Sequence, residues 1–437
     1  MIHRLVAAFV QAQKLDETAQ TQVEKTVINE AYRLNMAGYP RALLPWQGQL
    51  RHVTEQALLR EDETAATLAI NLGYHLKALG EYAAARPLYE RSLAIRERAL
   101  GPDHPDVAQS LNNLAGLLDN MGEYAAARPL YERSLAIRER ALGPDHPDVA
   151  TSLNNLAGLL DNMGEYAAAR PLYERTVAIF EKVLGPDHPN VATSLNNLAV
   201  LLRNMGEYAA ARPLYERSLA IRERALGPDH PNVALSLNNL ALLLKNQGEY
   251  AAARPLYERA LVIRERALGP DHPDVAQSLN NLAELLRNLG EYAAARPLYE
   301  RSLAIRERAL GPDHPDVAQS LNNLAGLLDN MGEYAAARPL YERSLAIRER
   351  ALGPDHPDVA YSLEQPGLVT AKPGGGRGRT SSVRTRSIHL HRQTRPGSSP
   401  HPYRPQQSGL VGAIGLPATH PTFFPKQKRR PRGRPCP

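Results

Sequence analysis

The chain has 437 residues, 43% apolar and only 5% aromatic, and its single cysteine is Cys436. That length suits one long solenoid or about two to three globular domains. The lone cysteine excludes a disulfide framework and a cysteine-based zinc site, and it predicts a protein of the reduced cytoplasm.

No apolar run approaches the roughly 18 residues that a spanning helix needs. The formal net charge of +6 conceals a split: residues 364–437 hold 14 Lys/Arg and one acid, whereas residues 1–363 hold 38 basic and 45 acidic groups. The body is therefore mildly acidic, which excludes nucleic-acid binding by the chain as a whole.

Residues 1–63 are expected to be helical, with Asp16 capping a helix to about Leu34, and they contain the sole tryptophan, Trp46. The opening Met1–Val10 is too short an apolar run for a secretory signal and lacks a small-residue cleavage site. A helical cap is expected here, because the end of a stacked array otherwise exposes its core.

From residue 64 the sequence becomes periodic. The string Gly-Glu-Tyr-Ala-Ala-Ala-Arg-Pro-Leu-Tyr-Glu-Arg recurs every 42 residues from Gly80 to Gly332, giving seven units over 64–357. A fixed period of this size signals a solenoid of stacked supersecondary units. In one unit, the spacing predicts a first helix over Pro105–Asn120, with Val107, Leu111, Leu114, Ala115 and Leu118 on one buried stripe.

Proline fits the first helical position, and Asp106 complements the helix dipole. Gly122 is expected to end the helix and reverse the chain. The second helix carries Tyr124, Ala127, Leu130, Tyr131, Leu135, Ile137 and Leu142 and ends at Gly143-Pro144. Pro129 predicts a small kink or a late start. The charged set Glu132, Arg133, Arg138, Glu139 and Arg140 predicts a solvated outer face.

A small residue at Ala115, then Gly122, Tyr124, Ala127 and Tyr131, resembles the tetratricopeptide pattern. The eight extra residues and the Leu-Gly-Pro-Asp-His-Pro connector are similar to the longer variant found in kinesin light chains and many bacterial proteins. The resemblance implies an all-α, right-handed superhelical solenoid whose first helices line an inner groove that holds an extended or helical peptide. It also implies groove-facing positions at Gln109, Asn112, Asn113, Gly116, Asp119, Asn120 and their equivalents.

The asparagine pair recurs as Asn112/Asn113, Asn154/Asn155, Asn196/Asn197, Asn238/Asn239, Asn280/Asn281 and Asn322/Asn323. Asparagine is a poor helix former, so a mid-helix pair needs another role. Two remain open: gripping a peptide backbone, or bonding to the next unit's helix. At the Asp119 site the units read Lys77, Asp119, Asp161, Arg203, Lys245, Arg287 and Asp329, and at the Gly116 site Tyr74, Gly116, Gly158, Val200, Leu242, Glu284 and Gly326. The middle units, around 190–315, are thus expected to offer cationic and apolar groups to an acidic, apolar peptide. Neutral drift among solvated positions is the alternative.

Signals of catalysis are lacking: the sequence has no phosphate loop, no Gly-x-Ser-x-Gly elbow and no His-Glu-x-x-His. A scaffold without enzymatic activity, cofactor or metal is expected. The connector histidines, His104 through His356, stand one per unit, too far apart for a shared metal, and are expected to pack loops.

Near the N-terminus, His3-Arg4-Leu5-Val6 and Leu43-Leu44-Pro45-Trp46 are similar to the segment joining nucleotide-binding and tetratricopeptide parts in bacterial signalling ATPases of the NB-ARC class. The nucleotide-binding module is absent from the sequence, so ATP binding does not carry over. The likeness implies, as an alternative function, the sensor arm of a split ATPase.

The eighth unit starts at Asp358 and breaks after Leu363, where Asn-Asn-Leu-Ala should follow but Glu364-Gln365-Pro366-Gly367-Leu368 stands. Written GAA CAA CCT GGC CTG and read one base later, those codons give Asn-Asn-Leu-Ala. Gln406 to Leu410 recover the same motif 42 residues on. Residues 364–437 are therefore read as frame-shifted repeats, which leaves the last unit's apolar face uncovered and predicts self-association through that end. The alternative is a disordered basic arm for nucleic acid or acidic membranes, centred on Lys428–Arg432.

Overall fold

A computed structural model describes residues 17–36, 43–354 and 356–363. The basic segment 364–437, Asp16 and His3–Val6, on which several expectations fall, lie outside the described residues. The described residues contain helices and turns and no strand, and none of their helices is long and apolar enough to cross a membrane.

Helices α1 (Glu17–Met36) and α2 (Leu44–Leu58) precede the array. Its first helices are Glu63–Ala78, Pro105–Asn120, Pro147–Met163, Pro189–Asn204, Pro231–Asn246, Pro273–Asn288 and Pro315–Asn330. Each is followed by a second helix of 19 residues, the first being Tyr82–Leu100 and the last Tyr334–Leu352. A short helix, Pro357–Leu363, closes the described chain and buries Val359 completely. The apolar face of the 316–357 unit is therefore covered in part, and less bare than the sequence suggests.

The predicted helix over Pro105–Asn120 matches the observed one. Its start is held by a group the sequence does not advertise: His104 is the N-cap, its Nδ1 accepting the Asp106 amide at 3.1 Å. Asp62 performs the same task for the first unit. The helix ends in a reversal at Gly122, whose φ of +74° is a conformation that side chains with a Cβ disfavour.

Proline inside the second helix causes no late start. The helix begins at Tyr124, upstream of Pro129, so only one bond near its N-terminus is lost.

The core has two parts. Along the hinge edge one continuous cluster runs from α1 through every unit, built of Leu114, Ala115, Leu117, Leu118, Ala127 and Tyr131 and their equivalents. Ala127 is fully buried and Tyr131 nearly so, as the close helix approach requires. Along the connector edge, smaller separate clusters such as Val107, Ala108, Leu111 and Ile137 recur unit by unit. Each fully buried Leu or Ile contributes roughly 1.5–3 kcal/mol, and part of that burial is made across unit boundaries, so stacking stabilises what a lone hairpin cannot. At the N-terminal end, Val27, Ala31, Leu43 and Leu50 join the continuous cluster, and Asn35 donates to the Asn71 carbonyl at 3.1 Å.

A layer of buried polar groups separates the two cores. Ser134 Oγ donates to the Ala108 carbonyl at 2.8 Å, tying second helix to first. Arg138, expected on the solvated face, is only 6% exposed. Its guanidinium reaches across the unit boundary to Ser152 Oγ at 2.9 Å and the Asp148 carbonyl at 3.2 Å, and back to Gln109 Oε1 at 2.8 Å. This corrects the outer-face assignment: Arg138 lies about 200° around the helix from Arg140, on the buried stripe of Tyr131 and Ser134, and points into the seam between three helices. Arg133 and Arg140 do lie outside, on Glu97 (2.6 Å) and Asp103 (2.8 Å) of the preceding unit. Such exposed pairs contribute little individually.

The array curves tightly enough to meet itself. A Cβ placed on Gly80, in the hinge of the first unit, would lie 3.0 Å from Pro315 Cδ and 3.3 Å from His314 Cδ2. A Cβ on Gly122 would lie 2.8 Å from His356 Cδ2. Both contacts join a hinge to a connector between five and six units further on. One superhelical turn is therefore complete within the array, and its successive turns touch edge to edge.

Candidate functional site

The inner surface is built by the first helices, and its polar residues are spaced so that each unit meets the next. The asparagine pairs form a ladder. The second Asn of one unit donates to the first Asn of the unit before: Asn155 to Asn112 (2.7 Å), Asn197 to Asn154 (2.8 Å), Asn239 to Asn196 (2.8 Å) and Asn323 to Asn280 (2.8 Å). Of the two roles left open by the sequence, inter-unit bonding is the one the geometry displays.

The ladder breaks at Asn281, which accepts from Gln277 (2.8 Å), while Asn238 donates to Ser278 Oγ at 3.2 Å. Asn113 accepts from Gln109 at 3.0 Å, and Asn322 is buried with its Oδ1 unpartnered. A chain of bonds runs from Arg348 through Gln319 and Asn323 to Asn280, at 2.8, 3.0 and 2.8 Å, joining the outer seam to the inner ladder.

A second ladder lies seven residues, about two helical turns, nearer the hinges. Asn162 donates to Asp119 at 3.0 Å and Asn204 to Asp161 at 3.1 Å. At three boundaries the Asp119 position of one unit lies over the Gly116 position of the next. Lys77 Nζ stands 3.5 Å and Tyr131 Oη 3.2 Å from a Cβ placed on Gly116, and Arg287 Nη1 stands 3.3 Å from one placed on Gly326. Where the lower residue is glycine, the long cation has room. Where it is Glu284, the cation above pairs with it: Lys245 Nζ to Glu284 Oε1 is 2.8 Å, with both side chains about nine-tenths buried.

The variable positions thus follow one another in register, as packing partners. Burial pushes the Lys77 ammonium below its ordinary pKa, and nearby Asp119 opposes that shift. Burial likewise raises the Asp119 carboxyl, against the Asn162 bond and Lys77.

Of the predicted cationic block, Lys245 is therefore already neutralised. Arg203 is 6% exposed, bonds its neighbour Asn204 at 3.1 Å, and leaves Nη1 without a partner. Arg287 is half-buried. Neither has a carboxylate within ion-pair distance among the described residues. Leu242, half-buried, packs against the continuous core. Burial of the groove-facing side chains is the feature the sequence conceals, because it depends on how many units make one turn.

No group of three or more His, Cys, Asp or Glu able to hold a metal occurs among the described residues.

A family model described as tetratricopeptide repeat matches in overlapping stretches at residues 64–139, 117–182, 154–212, 191–261, 233–307, 274–350 and 322–369. Among solved structures, the chain is similar to a protein of Podosopora anserina described as a kinesin light chain with nearly identical TPR-like repeats. That protein is 29% identical, over 47% of this chain and 97% of that one, with a TM-score of 0.40. BtubC (BKLC) from P. vanneervenii is 24% identical over 53% of this chain and 90% of that one, with a TM-score of 0.42. A Rap protein in complex with Competence and Sporulation Factor is 13% identical over 85% and 99%, with a TM-score of 0.49. No curated protein matches the chain.

Proposed function

The chain belongs to the tetratricopeptide-repeat family, and from that premise we propose that it is a non-catalytic cytoplasmic scaffold holding an acidic, apolar peptide on its inner surface. Residues 1–63 act as a cap, 64–357 carry the binding surface, and 358–437 begin as an eighth unit. The observation that carries this reading is the pair Arg203 and Arg287, inward cations without a carboxylate in ion-pair distance among the described residues, flanking the neutralised Lys245–Glu284 pair and Leu242. A guanidinium in such surroundings gains most from a ligand carboxylate, because charge-assisted bonds are stronger where water is scarce.

The asparagine ladder has a different task here: it fixes the spacing of the units so that the two arginines stand at a set separation. Fluorescence anisotropy with a panel of peptides alternating Asp or Glu with Leu tests the reading. Binding is expected to the intact protein and to be lost in Arg203→Glu plus Arg287→Glu. Equal binding by both proteins, or by neither, refutes it.

A further inference from the structure

The meeting of successive turns has an asymmetric consequence. One edge of the ribbon carries the Asp-His-Pro connectors and the other the Gly hinges. The two fit: His314 and Pro315 sit on the first hinge at Gly80, and His356 sits on the second at Gly122. Contact with the Ala78 carbonyl further ties His314 to that hinge. Because every unit repeats both elements, every connector is a copy of the one that docks, and every hinge a copy of the one that receives.

Within one chain most copies go unused. His104 and His146 keep side chains about 40% exposed, and His188 and His230 are also half-exposed. On the opposite edge, a Cβ on Gly164, Gly206, Gly248, Gly290 or Gly332 would meet nothing within 4 Å among the described residues. Around these open hinges lie Gln247, exposed, and Leu289, 40% exposed.

We propose that the open hinge edge of one molecule receives the exposed connector edge of a second copy, so that copies continue the superhelix head to tail. The occupant is a second copy because the intramolecular contact already shows the two edges to be complementary, and among the described residues the open edges continue it. Each molecule contributes a different edge, so the contact is heterologous and propagates along the axis. This differs from association through an uncapped C-terminal end, which would involve neither the connectors nor the hinges.

Sedimentation velocity on the full chain over a range of concentrations tests this. The wild type is expected to show a mass that rises with concentration above the 48.1 kDa of one chain. His104→Asn/His146→Asn/His188→Asn/His230→Asn removes the docking rings but keeps an acceptor for each helix cap. Gln247→Glu/Leu289→Glu places acid on the opposite, hinge edge beside the connector aspartates of an incoming copy. Each variant alone is expected to remain monomeric. Mixed in equal amounts they should form a particle of twice 48.1 kDa and no larger, since each retains one intact edge. A monomeric wild type, growth that persists in both variants, or a mixture that fails to pair would overturn the proposal. Should the histidine variant fail to fold by circular dichroism, persistent growth of the hinge variant alone would do so.

Discussion

His75 occupies the position that Leu117, Leu159, Leu201, Leu243, Leu285 and Leu327 fill in the later units. It is fully buried, and neither ring nitrogen has a hydrogen-bond partner. Burial lowers its pKa from 6.5 to about 4. Replacing it by leucine should therefore stabilise the N-terminal end on two counts. Removing a buried donor and acceptor that lack partners relieves about 1–3 kcal/mol each before packing changes.

The second gain depends on pH. Between about pH 4 and 6.5 the unfolded segment binds a proton that the folded one refuses, so wild-type stability is full above that window and falls as pH drops through it. At 1.36 kcal/mol per pKa unit the loss is about 2 kcal/mol at pH 5 and approaches about 3 kcal/mol at the lower limit. Trp46, the sole tryptophan, packs against the same core as His75's neighbours and reports on this end of the array. A local probe suits a repeat array, which need not unfold as one unit. Denaturant unfolding followed by Trp46 fluorescence at pH 7.5 and pH 5 should show His75→Leu more stable at both, with the wider gap at pH 5. An equal gap at both pH values would refute the argument from the buried ring, and a destabilised variant would refute the packing.

Four other outcomes follow from particular contacts. Gly164→Ala should cost about 1–2 kcal/mol for its left-handed backbone alone, whereas Gly122→Ala should cost more because the new Cβ also meets His356. Comparing the two by thermal unfolding measures the turn-to-turn contact. Arg264→Ala should destabilise by about 1–3 kcal/mol through the loss of its bonds to Ser278 (3.0 Å) and the Asp274 carbonyl (2.9 Å). Arg264→Phe should cost less, since Phe180 already fills this position in the third unit, and chemical denaturation would rank the two. Glu284→Ala removes the carboxylate that pairs with buried Lys245 at 2.8 Å, with an expected loss of about 3–5 kcal/mol that Lys245→Met in the same chain should largely recover. Asn155→Ala strips the 2.7 Å bond from Asn112 Oδ1 and should cost about 1–3 kcal/mol, read as faster amide exchange across that boundary.

The period of 42 residues, the helix limits at Pro105 and Asn120, and the reversal at Gly122 were all legible in the sequence, because each follows from local chemistry. Apolar spacing decides which face is buried, proline and glycine decide where helices begin and turn, and neither depends on the rest of the molecule. The role of His104 as a cap was within reach, since a ring nitrogen two residues before an amide is an acceptor like the oxygen of Asp62 in the first unit. Arg138 was also within reach, since it falls four residues after Ser134 and seven after Tyr131, on the buried stripe and about 200° around the helix from Arg140; which groups of the next unit it bonds depends on how that unit stacks. The groove residues were out of reach. A repeat sequence states what one unit looks like and that it must stack, but a small rotation between neighbours, repeated at every boundary, sets how many units complete a turn. That sum, a property of the tertiary structure alone, buries Arg203, pairs Lys245 with Glu284 and brings His314 onto Gly80.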